Sequence, residues 1–289
     1  MKKMNVIIGL FIFALVIFGS CERLGLGSRA IVKDYLAEGA YAFSFASHTH
    51  NNNNYRYIGI AKNNKINVYE FNRITNEYQL TELETDIPQG TRQIVGNYWY
   101  IGFYDGIFVE FIDLLTEERA MTLLHVDGID RKSNKLISMG GNLTYLNEDY
   151  KFRYLFTYNT RKNAWDRFEN TANSYRNKSF EEQYIGFDIK EVYGNSSSSN
   201  NSSIMFLDFD NTIHFYSFVD PSNGHDRWHD DSYDPNYNFQ VPEGFKNIFF
   251  VYDVRTKIIG IVLENHIEFY EYNQSSQQWV KSNIKDLQY

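Results

Sequence analysis

The densest concentration of chemistry-bearing side chains in the 289-residue chain is the stretch GHDRWHDDSYDPNY, residues 224 to 237. His225 and His229 stand there with Asp226, Asp230, Asp231 and Asp234, a mixture of nitrogen and oxygen donors of the kind that holds zinc or calcium. The spacing fits neither the alternating acids and central glycine of an EF-hand nor a His-Glu-x-x-His helix, so no metal is assigned and a solvated acidic loop is the alternative. Trp228 and Tyr233 add stacking surface. On a rigid scaffold, a loop carrying His225, Trp228, His229, Asp230, Asp231 and Tyr233 is therefore a candidate ligand site for a sugar or a peptide.

A second anomaly is Asp208 in the stretch IMFLDFDN, where an acid interrupts an apolar strand. A buried charge is costly unless paired, and such residues cluster at functional sites. Asp208 is thus a candidate acid facing a central channel, or else a carboxylate at a strand end reaching solvent. The chain lacks a Gly-x-Ser-x-Gly elbow and a phosphate-binding glycine loop with lysine, and its one cysteine, Cys21, stands near the N-terminus. No cofactor is implied and no catalytic residue can be named. A hydrolase using carboxylates from separate sheets stays open as an alternative, because two facing acids leave no short motif.

These side chains must be positioned by strands. Twenty-three Tyr, 23 Phe and only 4 Pro favour β-structure, since aromatic rings pack well on a pleated surface. Residues 58–78 (IGIAKNNKINVYEFNRITNEY) and 259–279 (IGIVLENHIEFYEYNQSSQQW) align without a gap at an offset of 201, with eight of 21 positions identical. Further copies of the pattern lie at 100–113, 154–165 and 204–218. Against the echo, Asp208 falls where Ala61 and Val262 stand. The last aromatic of the second strand in each copy is Phe71, Phe111, Tyr158, Phe218 and Tyr272, spaced by 40, 47, 60 and 54 residues. A repeat of this length with several strands per unit predicts an all-β propeller. We expect five four-stranded blades over residues 40–289, or six if a partial blade hides near Tyr184 to Val192. Asn63-Asn64, Asp105-Gly106, Asp210-Asn211 and Glu264-Asn265 are the expected tight turns with positive φ. The strand Tyr41 to Ala46 is expected to close the ring by completing the last sheet.

The pattern resembles the kelch repeat. Gly140-Gly141, then Tyr158, then Trp165 follow the kelch layout, while Tyr272 to Trp279 and Phe71 to Tyr78 keep the seven-residue spacing. The resemblance implies a propeller rather than an activity.

Ahead of the repeats, Lys2 and Lys3 precede an apolar run from Val6 to Phe18, then Gly19, Ser20 and Cys21. Thirteen residues of helix rise about 20 Å, short of a roughly 30 Å hydrocarbon core, which reads as a signal peptide. The stretch FGSC resembles the bacterial lipoprotein lipobox, with Phe18 in place of the usual leucine, a looseness similar to that of spirochaete lipoproteins. The resemblance implies cleavage after residue 20, acylation of Cys21, a tether over 21–39, and a protein anchored to a bacterial envelope membrane. Without the two leading lysines the chain has 26 basic and 36 acidic residues, a net charge near −10 that disfavours nucleic acid. The expected partners are the membrane, through the lipid, and a protein, peptide or glycan. A purely structural envelope role is the remaining alternative.

Overall fold

The computed structural model describes residues 41–45, 57–96, 100–105, 108–112, 119–123, 135–139, 142–146, 152–159, 164–168, 189–194, 203–219, 227–230, 238–251 and 258–289. All regular structure among them is β. The first sheet is β1 (Tyr41–Phe45), β2 (Tyr57–Lys62), β3 (Lys65–Asn72) and β4 (Glu77–Asp86); the second is β5 (Gln93–Gly96), β6 (Ile101–Tyr104), β7 (Phe108–Ile112) and β8 (Arg119–Leu123). The third is β9 (Lys135–Met139), β10 (Asn142–Leu146), β11 (Phe152–Asn159) and β12 (Ala164–Phe168). The fourth joins β13 (Ile189–Gly194), β14 (Ser203–Asp208), β15 (Thr212–Val219) and β16 (Arg227–Asp230), with β17 (Phe239–Gln240) added beside β15. The last joins β18 (Asn247–Val251), β19 (Ile258–Val262), β20 (His266–Asn273) and β21 (Gln278–Lys281), with β22 (Leu287–Gln288) beside β20.

Each sheet is an antiparallel meander, and the first strands of successive sheets touch in order: β1 meets β5, β5 meets β9, β9 meets β13, β13 meets β18, and β18 returns to β1. This is a propeller-like arrangement. Of the stretch suspected of hiding a partial blade, residues 189–192 belong to β13, the first strand of the fourth sheet, and residues 184–188 lie outside the described residues.

The sequence echo is a register echo. Ile58 faces Tyr69 and Gly59 faces Val68, as Ile259 faces Tyr270 and Gly260 faces Phe269. The echoed hairpin is therefore the middle pair of strands in its sheet. Glycine recurs in it for a packing reason. A Cβ on Gly59 would lie 2.4 Å from Cζ of Phe43, and one on Gly260 would lie 2.3 Å from Cζ of Phe249, so in both sheets the far end of an aromatic ring on the first strand fills the space over the glycine opposite it.

The seven-residue spacing of aromatics is a cross-strand pair: Phe71 opposite Tyr78, Tyr158 opposite Trp165, Tyr272 opposite Trp279, and Phe218 opposite the later-arriving Trp228. In the second sheet Ala120 stands opposite Phe111, as the missing aromatic of that copy requires. The outer aromatic also joins neighbouring sheets. Trp279 stacks on Phe215 of the fourth sheet with centroids 4.9 Å apart, and Tyr78 stacks on Phe269 of the last sheet at 5.4 Å. The joint between last and first sheets thus repeats the joint between fourth and last. Ring contacts of this kind contribute about 0.5–1.5 kcal/mol each beyond their buried area.

Closure differs from the expectation. The strand β1 pairs with β2 and is the first strand of its own sheet, so it adds nothing to the last one. What joins the ends is a side-chain amide. Asn247 on β18, 1% exposed, donates from Nδ2 to the carbonyl of Ala42 at 3.0 Å and accepts the Ala42 N–H on Oδ1 at 3.3 Å. The N–H and C=O of Ala42 point away from β2, and a carboxamide offers them the donor and acceptor that a further strand would have supplied. Gln93 does the same between β5 and β9, receiving the Leu136 N–H at 3.0 Å and donating back to its carbonyl. Across the joint between β1 and β18, Ser44 Oγ also donates to the carbonyl of Phe250. From outside, the C-terminal segment adds Lys285 N–H to the Asn76 carbonyl at 3.0 Å and a Lys285 to Glu77 ion pair at 2.8 Å.

The Gly140-Gly141 pair lies outside the described residues. Its flanking residues Met139 and Asn142 are partners in adjacent strands, and the whole of β10 separates the glycines from Tyr158. That order departs from the kelch layout.

Candidate functional site

The axis where the first strands meet encloses a cavity of about 50 Å³, lined by residues of β1, β5, β9, β13 and β18 including Ser44, Gln93, Ser138, Val192 and Phe250. At about 10–15 Å³ of such space per water it has room for a few waters.

Asp208 does not line that cavity. It is the last residue of β14, beside the hairpin turn that leads into β15. Its carboxylate is buried as the echo suggests, with 12% of the side chain exposed, and both oxygens are engaged: Oδ1 accepts the Thr212 N–H at 2.8 Å, and Oδ2 meets His214 Nε2 at 2.8 Å. Its carbonyl accepts the Asn211 N–H at 3.2 Å, and Asn211 has φ of 61°. Asp208 thus ties a three-residue loop from both sides. Asparagine serves here because it tolerates the left-handed conformation. The first hairpin uses Asn63 and Asn64 at φ 54° and 62°, as expected. The expected left-handed residue at Asn265 is not found. The turn there closes with Leu263 N–H on the His266 carbonyl, and Asn265 Oδ1 lies 2.9 Å from His266 Nδ1.

The loop held by Asp208 presents Phe209, which is 56% exposed. Leu207, opposite Ile213, is the register counterpart of Ala61 and Val262, opposite Ile66 and Ile267, so Asp208 stands where Lys62 and Leu263 stand and the loop of Phe209, Asp210 and Asn211 is one residue longer than Asn63-Asn64. Around Phe209 the polar groups are ordered. Lys190 Nζ donates to Asn211 Oδ1 at 2.7 Å and lies 5.5 Å over the Phe245 ring. Gln240 on β17 donates to the Asp210 carbonyl at 2.9 Å and accepts from Thr212 Oγ1 at 3.2 Å. Lys65, Lys246, Lys281 and Lys285 each pair with a carboxylate, whereas the partners of Lys190 are an amide oxygen and a ring. Sequence reasoning singled out Asp208 but not Phe209 or Lys190. The available signal was that the echo places Phe209 opposite Lys62 and Leu263, an aromatic where neither copy has one.

The segment 224–237 is not wholly a loop. Arg227–Asp230 form β16, the outer strand of the fourth sheet, with Trp228 opposite Phe218, His229 opposite Ser217 and Asp230 opposite Tyr216. The backbone of Trp228 therefore holds the place that Tyr78 and Trp279 hold in their sheets. His225, Asp231 and Tyr233 lie outside the described residues, as does Cys21.

The last sheet holds a cluster the sequence did not advertise. His266, Glu268 and Asp286 bring ligand-type atoms within 4.8 Å of one another. Lys281 sits between the acids, its Nζ 3.0 Å from Glu268 and 2.9 Å from Asp286. Burial alone would raise the Glu268 carboxyl, but hydrogen bonds from Tyr270 and Lys281 outweigh it and hold it below its ordinary 4.5. Burial, and then the bond to Glu268, push the Tyr270 hydroxyl up to about 12. A lysine ammonium already fills the cation position, so this is an ion-pair network.

Fold and site together define a propeller-like all-β protein whose carboxylate-held hairpin displays an aromatic ring. No family model and no curated protein matches the chain. Among solved structures it is similar to the SapL1 lectin in complex with alpha methyl fucoside, at TM-score 0.44 and 10% identity over 84% of this chain and 79% of that one. It is also similar to the Aleuria aurantia lectin in complex with alpha-methyl-L-fucoside, at TM-score 0.41 and 12% identity over 87% and 78%. A third likeness is to a mutant of AofleA from Arthrobotrys oligospora, at TM-score 0.40 and 12% identity over 90% and 73%. Likenesses this distant assign no ligand.

Proposed function

We propose that the chain is a five-bladed β-propeller, lipid-anchored through Cys21 at a bacterial envelope, that serves as a binding module for a glycan, peptide or protein. The observation that carries the binding role is the hairpin of the fourth sheet, where a buried carboxylate is spent on holding a turn that exposes Phe209. Preorganising a contact surface in this way lowers the ordering cost of binding. Asp208 is ill placed as a hydrolytic acid, since both carboxylate oxygens serve the turn. The five blades rest on the five sheets and on the ring of contacts among their first strands.

The role is tested by presenting the immobilised full chain to arrays of oligosaccharides and of peptides. Saturable binding on either supports it, and silence on both contradicts it. The anchor rests on the run from Val6 to Phe18 before FGSC and on Cys21 being the only cysteine. Cys21→Ala is expected to move the protein from the membrane fraction to the soluble one, because several buried acyl chains at about 0.8 kcal/mol per methylene are lost together. An unchanged membrane fraction contradicts the anchor.

A further inference from the structure

We propose that the outer edge of the first sheet, from Ile74 to Asp86, is a docking surface for an extended protein segment that carries both apolar and basic side chains and adds as a further strand beside β4. The surface is separate from the fourth-sheet hairpin and goes beyond the binding role assigned there.

The register echo shows what is unusual about this edge. Asn72 faces Glu77, Phe71 faces Tyr78 and Tyr69 faces Leu80, as Asn273 faces Gln278, Tyr272 faces Trp279 and Tyr270 faces Lys281. The turns between them are built alike. Asn72 Oδ1 accepts the Ile74 and Thr75 N–H groups at 2.9 and 3.3 Å, and Asn273 Oδ1 accepts those of Ser275 and Ser276 at 2.9 and 3.1 Å. Ile74 and Leu80 therefore stand where the last sheet carries Ser275 and Lys281. Ile74 is 95% and Leu80 64% exposed, so two of the three large exposed hydrophobics among the described residues lie on this one hairpin. The last sheet makes the same hairpin with polar residues at both places, so the fold does not require them to be apolar.

The strand is the second support. β4 runs ten residues, whereas β8 and β12 have five and β16 and β21 four. It ends the order of its sheet, so among the described residues no strand lies beside its far edge. Such an edge offers backbone N–H and C=O groups to an incoming strand. The bulge opposite Val68 is pinned by Thr81, whose Oγ1 donates to the Val68 carbonyl at 2.9 Å and accepts the Leu83 N–H at 3.1 Å. Charge selects the partner. The strand EYQLTELETD holds Glu77, Glu82, Glu84 and Asp86 and no basic residue. Lys285 and Lys65 pair with Glu77 and Glu84, while Glu82 and Asp86 have no ion pair among the described residues. A second copy of this edge would set carboxylates against carboxylates, which disfavours self-pairing. A segment with basic side chains meets the acids, and its apolar ones cover Ile74 and Leu80.

The test measures binding of the full chain to a ten-residue peptide of alternating valine and lysine. Its valine-glutamate counterpart, and a valine-lysine peptide N-methylated at alternate backbone nitrogens, are the comparisons. Saturable binding of the first peptide alone is expected, weakening as salt rises. Leu80→Thr and Ile74→Ser together should weaken it about tenfold or more, since both exposed apolar anchors are lost. Glu82→Gln should weaken it several-fold, and Glu264→Gln, at an exposed acid of the last sheet, should leave it unchanged. All these side chains are exposed, so the variants should melt with the wild type. Binding that survives the Leu80→Thr and Ile74→Ser pair, or that falls as much with Glu264→Gln as with Glu82→Gln, overturns the location. Equal binding of the valine-glutamate peptide overturns the partner's chemistry, and equal binding of the N-methylated peptide overturns the strand pairing. Self-association of the chain that Leu80→Thr abolishes gives the edge to a second copy and overturns the proposal. Failure of the valine-lysine peptide to bind also overturns it, while array ligands that bind wild type and the Leu80→Thr and Ile74→Ser variant alike leave the binding module standing.

Discussion

Asn247→Ala is expected to be among the most damaging single substitutions in the protein, although it removes only a small amide. Asn247 supplies both partners of the Ala42 backbone, and neither Ala42, at 0% exposed, nor the amide, at 1%, has access to water. Alanine would strand a buried N–H and a buried C=O at roughly 1–3 kcal/mol each, a loss of about 2–6 kcal/mol. Against a typical total of about 5–15 kcal/mol that is a large fraction. It also falls at the joint where the two ends of the chain meet. Chemical denaturation of wild type and variant measures it. Asn247→Asp makes a useful comparison, because it keeps the acceptor for the Ala42 N–H but brings a charge against the Ala42 carbonyl, and should be no better tolerated. A shift below about 0.5 kcal/mol for the alanine variant would mean that the ends are held by other contacts.

The second large effect is expected at Asp208. The gapless echo aligns Asp208 with Val262, although in the register of the sheets the counterpart of Val262 is Leu207, so an account based on the repeat alone makes Asp208→Val neutral or favourable. The structure leads to the opposite expectation. Valine leaves the Thr212 N–H without its acceptor and His214, with 13% of its side chain exposed, without its carboxylate. A buried donor left without its acceptor costs about 1–3 kcal/mol, so losing both bonds to this slightly exposed carboxylate should cost about 2–4 kcal/mol. Asp208→Asn retains an acceptor for Thr212 N–H and should recover part of the loss. Unfolding midpoints in urea separate the three proteins. A valine variant as stable as wild type would show that the carboxylate does not hold the turn, and the argument that the turn is preorganised would fall with it.

Much of the architecture was legible because it is written in local pairings. The gapless echo at 201 residues works as a signal since Ile58 to Tyr69 and Ile259 to Tyr270 share one register, and a shift of one residue would turn every side chain to the other face. The seven-residue aromatic spacing is the length of a strand end, a turn and a strand start. Asn72 and Asn273 fasten that turn, accepting N–H groups from Ile74 and Ser275 on their side-chain oxygens, both at 2.9 Å. Even the return of the chain after each outer strand repeats: the N–H groups of Ile87, Val241 and Tyr289 donate to the carbonyls of the hairpin residues Asn64, Asn211 and Asn265.

Closure was misread because it is a long-range event. Nothing in YAFSF distinguishes a first strand from a borrowed one, and its partner amide lies 205 residues away. The sign in the sequence is an amide heading an apolar strand, Gln93 before Ile-Val and Asn247 before Ile-Phe, and its meaning depends on a neighbour the sequence does not specify. The site was half legible for a similar reason. Asp208 stood out against its repeat partners as a buried acid, but burial alone did not say which groups it would meet, and it does not line the cavity between the first strands. The acidic stretch after the fourth hairpin read as a loop because its composition is polar, while Arg227–Asp230 pair with β15 through backbone groups that composition does not describe.

The most direct measurement of the binding account is amide hydrogen exchange on the full chain with and without a saturating concentration of the oligosaccharide or peptide that binds best on the arrays. The account predicts slowed exchange concentrated in residues 208–212 and 238–245, with the first strands around the axis unchanged. Protection that instead falls on β1, β5, β9, β13 and β18, or that leaves residues 208–212 unaffected, would contradict it.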